Sequence, residues 1–204
     1  MMIQQKNTID FFDNNLVSEE QIPRQFTVSF KEVGIGTRGE VRVIFNDNKQ
    51  LGDIINDNSY ENDYYRYHDI FHYSFATLLG WSPCARSMMR KKRKSNELLD
   101  EIEDGARATI TEEALSMIIF NEAKRKNYFK GSYKVSRTTL RIIKEMTETF
   151  EVKVRNTKDW ENAILKAYEI FRQLIKYNGG RVEFDAMRKL ISYSKLLENN
   201  VFNN

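Results

Sequence analysis

The sequence has only two histidines, His68 and His72, and they lie four positions apart in the segment Tyr-His-Asp-Ile-Phe-His. On a helix, positions i and i+4 project from the same side, so the two imidazoles could share a metal ion, a proton or a phosphate group. A helical projection places His68 in a stripe with Phe71, Phe75 and Leu79, and it places His72 at the edge of that stripe. A hydrogen-bonded pair of core histidines is the alternative interpretation, because protein interiors tolerate neutral imidazole.

Carboxylates follow in a charged segment that the sequence predicts to be one long helix, from about residue 97 to residue 126. The predicted apolar stripe of this helix is Leu99, Ile102, Ala106, Ile110 and Met117. The same projection turns Glu113 and Glu103 inward and places Glu112 on the far side. An isolated buried carboxylate costs several kcal/mol, so the inward acids need a cation or hydrogen-bond donors. The histidines, Arg107 or a divalent ion could supply them, and an ordinary Glu103–Arg107 helix pair is the alternative.

Two inward histidines on one helix and two inward acids on another predict a polar centre between helices. The predicted metal ligands are His68, His72, Glu103 and Glu113. Mg²⁺ or Mn²⁺ is the expected cofactor, and the histidines add Zn²⁺ and Fe²⁺ as alternatives. Asp69, Asp104 and Glu113 are the predicted catalytic residues, which would orient a ligand or accept a proton from an attacking water.

Five consecutive basic residues at 90–94 lie between the histidines and the acids. Such residues beside a metal ion suit a phosphate-bearing ligand. The predicted substrate-binding residues are Arg86, Arg90, Lys92, Arg93, Lys94 and Arg107, and a merely solvated surface is the alternative. The overall charge is nearly balanced, with 32 Lys and Arg against 29 Asp and Glu. This balance argues against nucleic acid as the partner, so a nucleotide or another phosphorylated small molecule is expected.

The length of 204 residues and a hydrophobic content of 41% suit one domain with a substantial core. Residues 1–21 are predicted to be a flexible tail and residues 22–204 the domain. Alternating apolar residues predict a β-hairpin over 25–45 and a second one over 182–192. Apolar residues at helical spacing fill the region between them, with Ser136 and Thr157 as predicted N-caps. The predicted fold is therefore mainly α within the α+β class, a helical bundle with β-hairpins near both termini.

Cys84 is the only cysteine, which excludes an internal disulfide and fits a reducing compartment. Because its neighbours Pro83 and Ala85 offer no catalytic base, we interpret it as a small apolar residue. No apolar run approaches about 18 residues, and the N-terminus lacks the features of a secretion signal. We therefore expect a cytoplasmic protein without membrane association, and we leave a homodimer as an open expectation.

Several segments, taken together, carry a family resemblance. In chain order they are Ile-Pro-Arg-Gln-Phe (22–26), Gly-Asp (52–53), Tyr-His-Asp-Ile-Phe-His (67–72), Leu-Gly-Trp-Ser-Pro (79–83), Lys-Lys-Arg-Lys-Ser (91–95), Asp-Glu-Ile-Glu-Asp-Gly-Ala-Arg-Ala (100–108), Glu-Glu (112–113) and Trp-Glu-Asn-Ala-Ile (160–164). Over roughly residues 22–193 the chain resembles the domain found C-terminal to the pyrophosphohydrolase domain in some bacterial MazG-like proteins. The resemblance implies nucleotide chemistry, with Mg²⁺-dependent removal of pyrophosphate from nucleoside triphosphates by the attached MazG domain.

The catalytic signature of the MazG domain itself, Glu-Glu-x-x-Glu followed by Glu-x-x-Asp, is not complete in this sequence. The segment 101–104 matches only the second half, and Pro23 stands where the third glutamate of the first half would be. The chain therefore resembles the companion domain standing alone. The resemblance carries over the segments 68–72 and 103–107 as site residues without a defined chemistry.

Two functional hypotheses follow. The first is a metal-dependent hydrolase of nucleotide phosphoanhydrides, similar to a nucleoside triphosphate pyrophosphohydrolase. The alternative is a non-catalytic nucleotide-sensing module that regulates a partner in bacterial stress or phage defence.

Overall fold

A computed structural model describes residues 11–34 and 39–196. The strands are β1 (Gln25–Glu32), β2 (Glu40–Phe45), β3 (Lys49–Asn56), β4 (Gly179–Asp185) and β5 (Leu190–Ser194). The helices are α1 (Asp69–Leu78), α2 (Pro83–Met89), α3 (Glu97–Ile102), α4 (Ala106–Arg125), α5 (Arg137–Thr147) and α6 (Thr157–Lys176). Short 3₁₀ segments span Ser18–Glu20, Tyr65–Tyr67 and Glu151–Val154. Within the described ranges, no helix is long and apolar enough to span a membrane.

The strands form one antiparallel sheet in the order β3-β2-β1-β4-β5. Both predicted hairpins are confirmed, and the central strand β1 joins them: Val28 faces Phe45 of β2 on one side and Val182 of β4 on the other. The predicted helical bundle with separate hairpins is therefore wrong, because the two hairpins form one five-stranded sheet in an α+β fold. Local periodicity could not show this, because the residues that pair between β1 and β4 lie far apart in the sequence.

The main core lies between the sheet and the helices α1 and α6. Phe26 of β1 stacks on Phe184 of β4 with ring centroids 4.7 Å apart, and Tyr73 of α1 contacts both rings edge-on. Phe71 of α1 packs on Tyr168 of α6 at 4.6 Å. Burial of these aromatic side chains stabilises the position of α1 on the sheet, and α1 carries the histidine segment.

The predicted helix starts are close to the observed ones. Ser136 is the N-cap of α5 and accepts a hydrogen bond from the Thr139 N–H, as predicted. Asn156 rather than Thr157 is the N-cap of α6, and its side chain forms a capping box with Asp159.

The charged segment 97–126 is not one helix, because residues 103–105 interrupt the helical backbone between α3 and α4. Gly105 has an extended backbone there, with φ −81° and ψ −176°. The break changes the helical phase, so Ile102, Ile110 and Met117 are 43%, 68% and 41% exposed. The predicted apolar stripe is thus wrong, and so is the outward position of Glu112, which is fully buried.

The predicted tail 1–21 is described only from residue 11 onward. In this part Asp13 is buried and accepts hydrogen bonds from the Ile22 N–H, from Arg24 and from Arg86, with donor–acceptor distances of 2.6–2.8 Å. These contacts hold residues 11–21 against the rest of the fold.

Candidate functional site

The two histidines lie at the start of α1, where the sequence predicts them. His68 immediately precedes the helix and His72 is in its first turn. The His72 side chain is 1% exposed and that of His68 is 15% exposed. Their rings meet edge-on with centroids 5.7 Å apart. The i, i+4 spacing therefore brings the imidazoles together, one fully buried and the other partly open to solvent.

A buried carboxylate determines which nitrogen of His72 is available. His72 Nδ1 lies 2.8 Å from Glu112 Oε1. Glu112 also accepts hydrogen bonds from the Ser82 hydroxyl at 2.7 Å and from the Cys84 N–H at 2.8 Å. Because a carboxylate only accepts hydrogen bonds, Nδ1 of His72 must carry the proton. In neutral His72 the lone pair is then on Nε2, which is buried and has no hydrogen-bond partner in the described structure.

His68 is held in the same way. Its Nδ1 lies 3.0 Å from the carbonyl oxygen of Tyr65, so Nδ1 donates and Nε2 keeps the lone pair. Hydrogen bonds of Nδ1 to a carboxylate or a backbone carbonyl are the usual support of metal-binding histidines, since they fix the tautomer and the orientation of the ring.

Both Nε2 atoms lie near carboxylate oxygens. Nε2 of His68 is 3.3 Å from Asp69 Oδ1, and Nε2 of His72 is 3.5 Å from Glu113 Oε1. Asp69 is buried, whereas the Glu113 side chain is 46% exposed. We call His68, Asp69, His72 and Glu113 the histidine–carboxylate centre.

The spacing within the histidine–carboxylate centre suits a metal ion. One ligand atom from each of His68, Asp69 and His72 lies within 4.8 Å of the other two, and a second such group comprises His72, Cys84 and Glu112. Ligands that bind a tetrahedral ion at about 2.0–2.1 Å are separated by roughly 3.3 Å, close to the nitrogen–oxygen distances found here. The Cys84 thiol adds a contact of 3.5 Å to Glu113 Oε1.

The electrostatic field at the centre favours positive charge. Burial lowers the pKa of His72, but the charge and hydrogen bond of Glu112, together with Glu113 and Asp69, outweigh burial and raise this pKa to about 9. Burial lowers the pKa of His68 against the attraction of Asp69. Burial and the two glutamates raise the pKa of the Cys84 thiol far above its usual range. The acidic groups around His72 would favour a bound cation for the same reason.

The structure places two of the predicted acids elsewhere. Asp104 is buried and accepts hydrogen bonds from the Arg93 side chain and from its N–H, both at 2.8 Å. Glu103 accepts a hydrogen bond from the Glu151 N–H at 3.0 Å. Glu113 therefore lies beside the histidines, whereas Glu103 and Asp104 belong to a separate ion-pair network around Arg93.

The predicted phosphate-binding residues divide into two groups. Arg86 and Arg93 are buried and form ion pairs at 2.8 Å, Arg86 with Asp13 and Arg93 with Asp104 and Glu151. These two arginines hold the fold together internally. Arg90, Lys94 and Arg107 are exposed and Lys92 is half-buried, and none of the four forms an ion pair with a residue of the described ranges.

A family model described as the MazG C-terminal domain matches residues 7–197 of this chain. The chain belongs to the MazG C-terminal domain family. The match confirms the resemblance stated above, and it includes both the histidine–carboxylate centre and the Asp13 segment that precedes the predicted domain start. No curated protein and no solved structure gives a significant match to the chain.

The sequence of this MazG C-terminal domain did not predict three residues that lie near the centre: Glu112, Ser82 and Cys84. Ser82 is the N-cap of α2, where its Oγ accepts a hydrogen bond from the Ala85 N–H while its hydroxyl donates to Glu112. A usable signal was the adjacent pair Glu112 and Glu113, because consecutive helical residues point about 100° apart and two acids can line neighbouring surfaces.

Proposed function

We propose that this chain binds a divalent transition-metal ion at the histidine–carboxylate centre and hydrolyses a phosphoanhydride bond of a nucleotide there. His68, Asp69, His72 and Glu113 would hold the ion. The observation that carries the proposal is the buried, unpartnered Nε2 of His72, whose Nδ1 is held by Glu112. A buried ring nitrogen without a hydrogen-bond partner is costly unless a proton or a metal ion binds it, and the surrounding carboxylates favour either cation.

The donor set favours some ions over others. Two imidazole nitrogens with carboxylate oxygens suit Zn²⁺, Mn²⁺ and Fe²⁺, whereas Mg²⁺ prefers ligand sets made of oxygen alone. Of Mg²⁺ and Mn²⁺, the two ions that the sequence predicts first, Mn²⁺ suits this donor set better. Zn²⁺ and Fe²⁺ suit it as well as Mn²⁺ does. When bound, such an ion would polarise a phosphoryl oxygen and lower the pKa of a coordinated water.

In the proposed reaction the glutamates and the exposed basic residues would have separate roles. Glu112 keeps His72 in the tautomer that leaves Nε2 free. Glu113 is half-exposed, so solvent and a substrate can reach its carboxylate, which could accept a proton from water. Four of the predicted substrate-binding residues have no internal ion pair in the described structure and could contact phosphate groups: the exposed Arg90, Lys94 and Arg107 and the half-buried Lys92. Membership of the MazG C-terminal domain family supports a nucleotide as the substrate class.

The test combines metal analysis with a turnover assay. We expect protein purified without chelator to contain about one equivalent of a transition metal, and to hydrolyse at least one member of a nucleotide panel when Mn²⁺ or Zn²⁺ is added. Chelation or His72→Ala should lower turnover at least about 100-fold. Glu145→Gln, which changes an exposed acid on α5, serves as the matched control and should leave turnover unchanged. Turnover that survives both chelation and His72→Ala would refute the proposal.

The nucleotide-sensing module is the second candidate, and one observation favours it. Only the segment 101–104 matches part of the catalytic signature of the MazG domain, and its Asp104 is buried in an ion pair with Arg93. A sensing module should be stabilised by a nucleotide in a thermal-shift assay and should release that nucleotide intact. Stabilisation without turnover in any metal would favour sensing over hydrolysis.

A further inference from the structure

Tyr65 contacts the His68 side chain on two sides. Its phenol ring lies parallel to the imidazole of His68, with centroids 4.3 Å apart and an interplanar angle of 2°. Its carbonyl oxygen accepts two hydrogen bonds from the same histidine, one from the His68 N–H at 2.7 Å and one from Nδ1 at 3.0 Å.

These contacts matter because the second side-chain torsion of histidine is soft and nearly two-fold. Rotation of the ring by half a turn exchanges Nδ1 with a carbon and Nε2 with another carbon, which would remove the metal-binding atom from the centre. His68 is partly exposed and makes no side-chain capping bond to α1, so the helix itself does not choose between the two orientations. The carbonyl of Tyr65 selects one orientation, and the stacked ring resists rotation out of that plane.

Tyr65 is itself held in place from α4 and from the segment that follows it. The Tyr65 N–H donates to Asp63 at 3.2 Å, and Lys124 of α4 binds the same aspartate at 2.9 Å. The Tyr128 hydroxyl donates to the Asp63 carbonyl at 2.9 Å. Phe120 of α4 packs edge-on against the Tyr65 ring at 5.1 Å. The ring that positions His68 is therefore fixed to the helix that also carries Glu112 and Glu113.

We propose that Tyr65 is a positioning residue of the metal centre: its ring and its carbonyl oxygen hold His68 with Nε2 directed at the ion. This inference rests on the proposed function, since it assumes that His68 binds a metal. It assigns the effect to the aromatic ring and the backbone, and not to the phenol hydroxyl.

Titration of the full chain with Co²⁺, followed by its visible absorption spectrum, tests the proposal. Tyr65→Phe keeps the ring, so it should retain the Co²⁺ affinity within about twofold and the same spectrum. Tyr65→Leu should weaken binding about tenfold or more and should change the spectrum as His68→Ala does. Tyr60→Leu is the matched control, because Tyr60 is fully exposed, and it should bind like the unsubstituted chain.

Leucine keeps the backbone carbonyl and removes only the ring, so unchanged affinity and spectrum in Tyr65→Leu would overturn the proposal, which requires the ring as well, and would leave the metal centre intact. Loss of affinity in Tyr65→Phe as large as in Tyr65→Leu would overturn it too, by assigning the effect to the hydroxyl. Absence of Co²⁺ binding by the unsubstituted chain would overturn the centre, and this inference with it.

A second measurement decides the matter if Tyr65→Leu does not fold. Nitrogen-15 NMR of the histidine rings, recorded on the metal-free unsubstituted chain and on Tyr65→Phe, should show His68 as the Nδ1–H tautomer in both. The Nε2–H tautomer in either protein would overturn the proposal.

Discussion

At the scale of single residues, Glu112 is the most constrained side chain of the site. It is fully buried and accepts hydrogen bonds from three donors on two other elements, namely His72, Ser82 and the Cys84 N–H. A buried carboxylate is tolerated only when donors or cations compensate its charge. Here one of the three donors is His72 of the histidine–carboxylate centre, and the other two lie at the start of α2. Glu112 therefore contributes to stability, and under the proposed function it also keeps Nε2 of His72 directed away from its own carboxylate and available to a metal ion.

Substitution of the two adjacent glutamates should separate these contributions. Glu112→Gln keeps the size but cannot accept all three hydrogen bonds, so it should lower the free energy of unfolding by about 2–3 kcal/mol. Glu113→Gln changes a half-exposed side chain and should lower the free energy of unfolding by less than about 1 kcal/mol. Both variants should weaken metal binding at least about tenfold. Urea unfolding and Co²⁺ titration measure the two effects. Equal losses of stability in both variants would contradict the assignment.

The sequence predicted part of this site at the residue scale. The spacing of His68 and His72 depends on a short stretch of regular helix, and the structure brings the two together. Glu113 lies beside His72, but its side chain is 46% exposed and does not point inward as predicted. Glu112 was assigned to the wrong side because its position was counted from residues before the helix break. Glu103 needed a partner, as predicted, but that partner is the backbone of Glu151, which lies in a distant part of the sequence.

At the scale of elements, the break between α3 and α4 determines which acids reach the centre. A Cβ atom added to Gly105 would lie 2.0 Å from the carbonyl oxygen of Glu101, so no other residue fits this turn without movement of the backbone. The break rotates α4 relative to α3 and turns Glu112 inward. A projection drawn through the whole segment could not detect this, because a single glycine within a helical pattern does not by itself indicate an end.

Gly105→Ala should therefore destabilise the chain by more than an ordinary glycine substitution. We expect a loss of about 2–3 kcal/mol in the free energy of unfolding, because backbone atoms must move to relieve the contact. Gly131→Ala is the matched control: Gly131 has a positive φ of +73° but open space around it, so only the cost of a left-handed alanine applies, about 1 kcal/mol. Denaturant unfolding of both variants tests this, and a smaller loss in Gly105→Ala than in Gly131→Ala would contradict it.

At the scale of the whole molecule, buried ion pairs connect segments that are distant in the sequence. Arg86 of α2 binds Asp13 near the N-terminus, and Arg93 binds both Asp104 at the helix break and Glu151 after α5. Two buried arginines thus join four separate parts of the chain. Composition and periodicity could not predict these pairs, because they join separate segments, and the sequence analysis assigned Arg86, Arg93 and Asp104 to the functional site instead.

This network gives the stability of the molecule a particular dependence on pH. Burial raises the pKa of Glu151 to about 7, with Glu103 adding to the rise and Arg93 opposing it. Because the folded-state pKa lies above the ordinary 4.5, the stabilisation from this group is complete below about pH 4.5 and is lost as the pH rises through about 7.

The free energy of unfolding attributable to Glu151 should therefore fall by on the order of 2–3 kcal/mol between about pH 5 and about pH 8. Glu151→Gln should remove this part of the slope, and the difference between the two proteins cancels the contributions of the histidines. Glu148→Gln, at an exposed acid three positions earlier, should keep the original slope. Urea unfolding across this pH range provides the measurement, and identical slopes in the unsubstituted chain and Glu151→Gln would contradict the prediction.

The pairing of β1 with β4 has a kinetic consequence. Thr27 pairs with Glu183, so the middle of the sheet cannot form until almost all of the described chain has been synthesised. Contacts between such distant residues slow folding, because a long loop must close before they form. During synthesis the first hairpin must wait with one edge of β1 unpaired, which is the condition under which strands from two chains can associate. Refolding should therefore slow and lose yield as the protein concentration rises, and stopped-flow and light-scattering measurements can follow both effects.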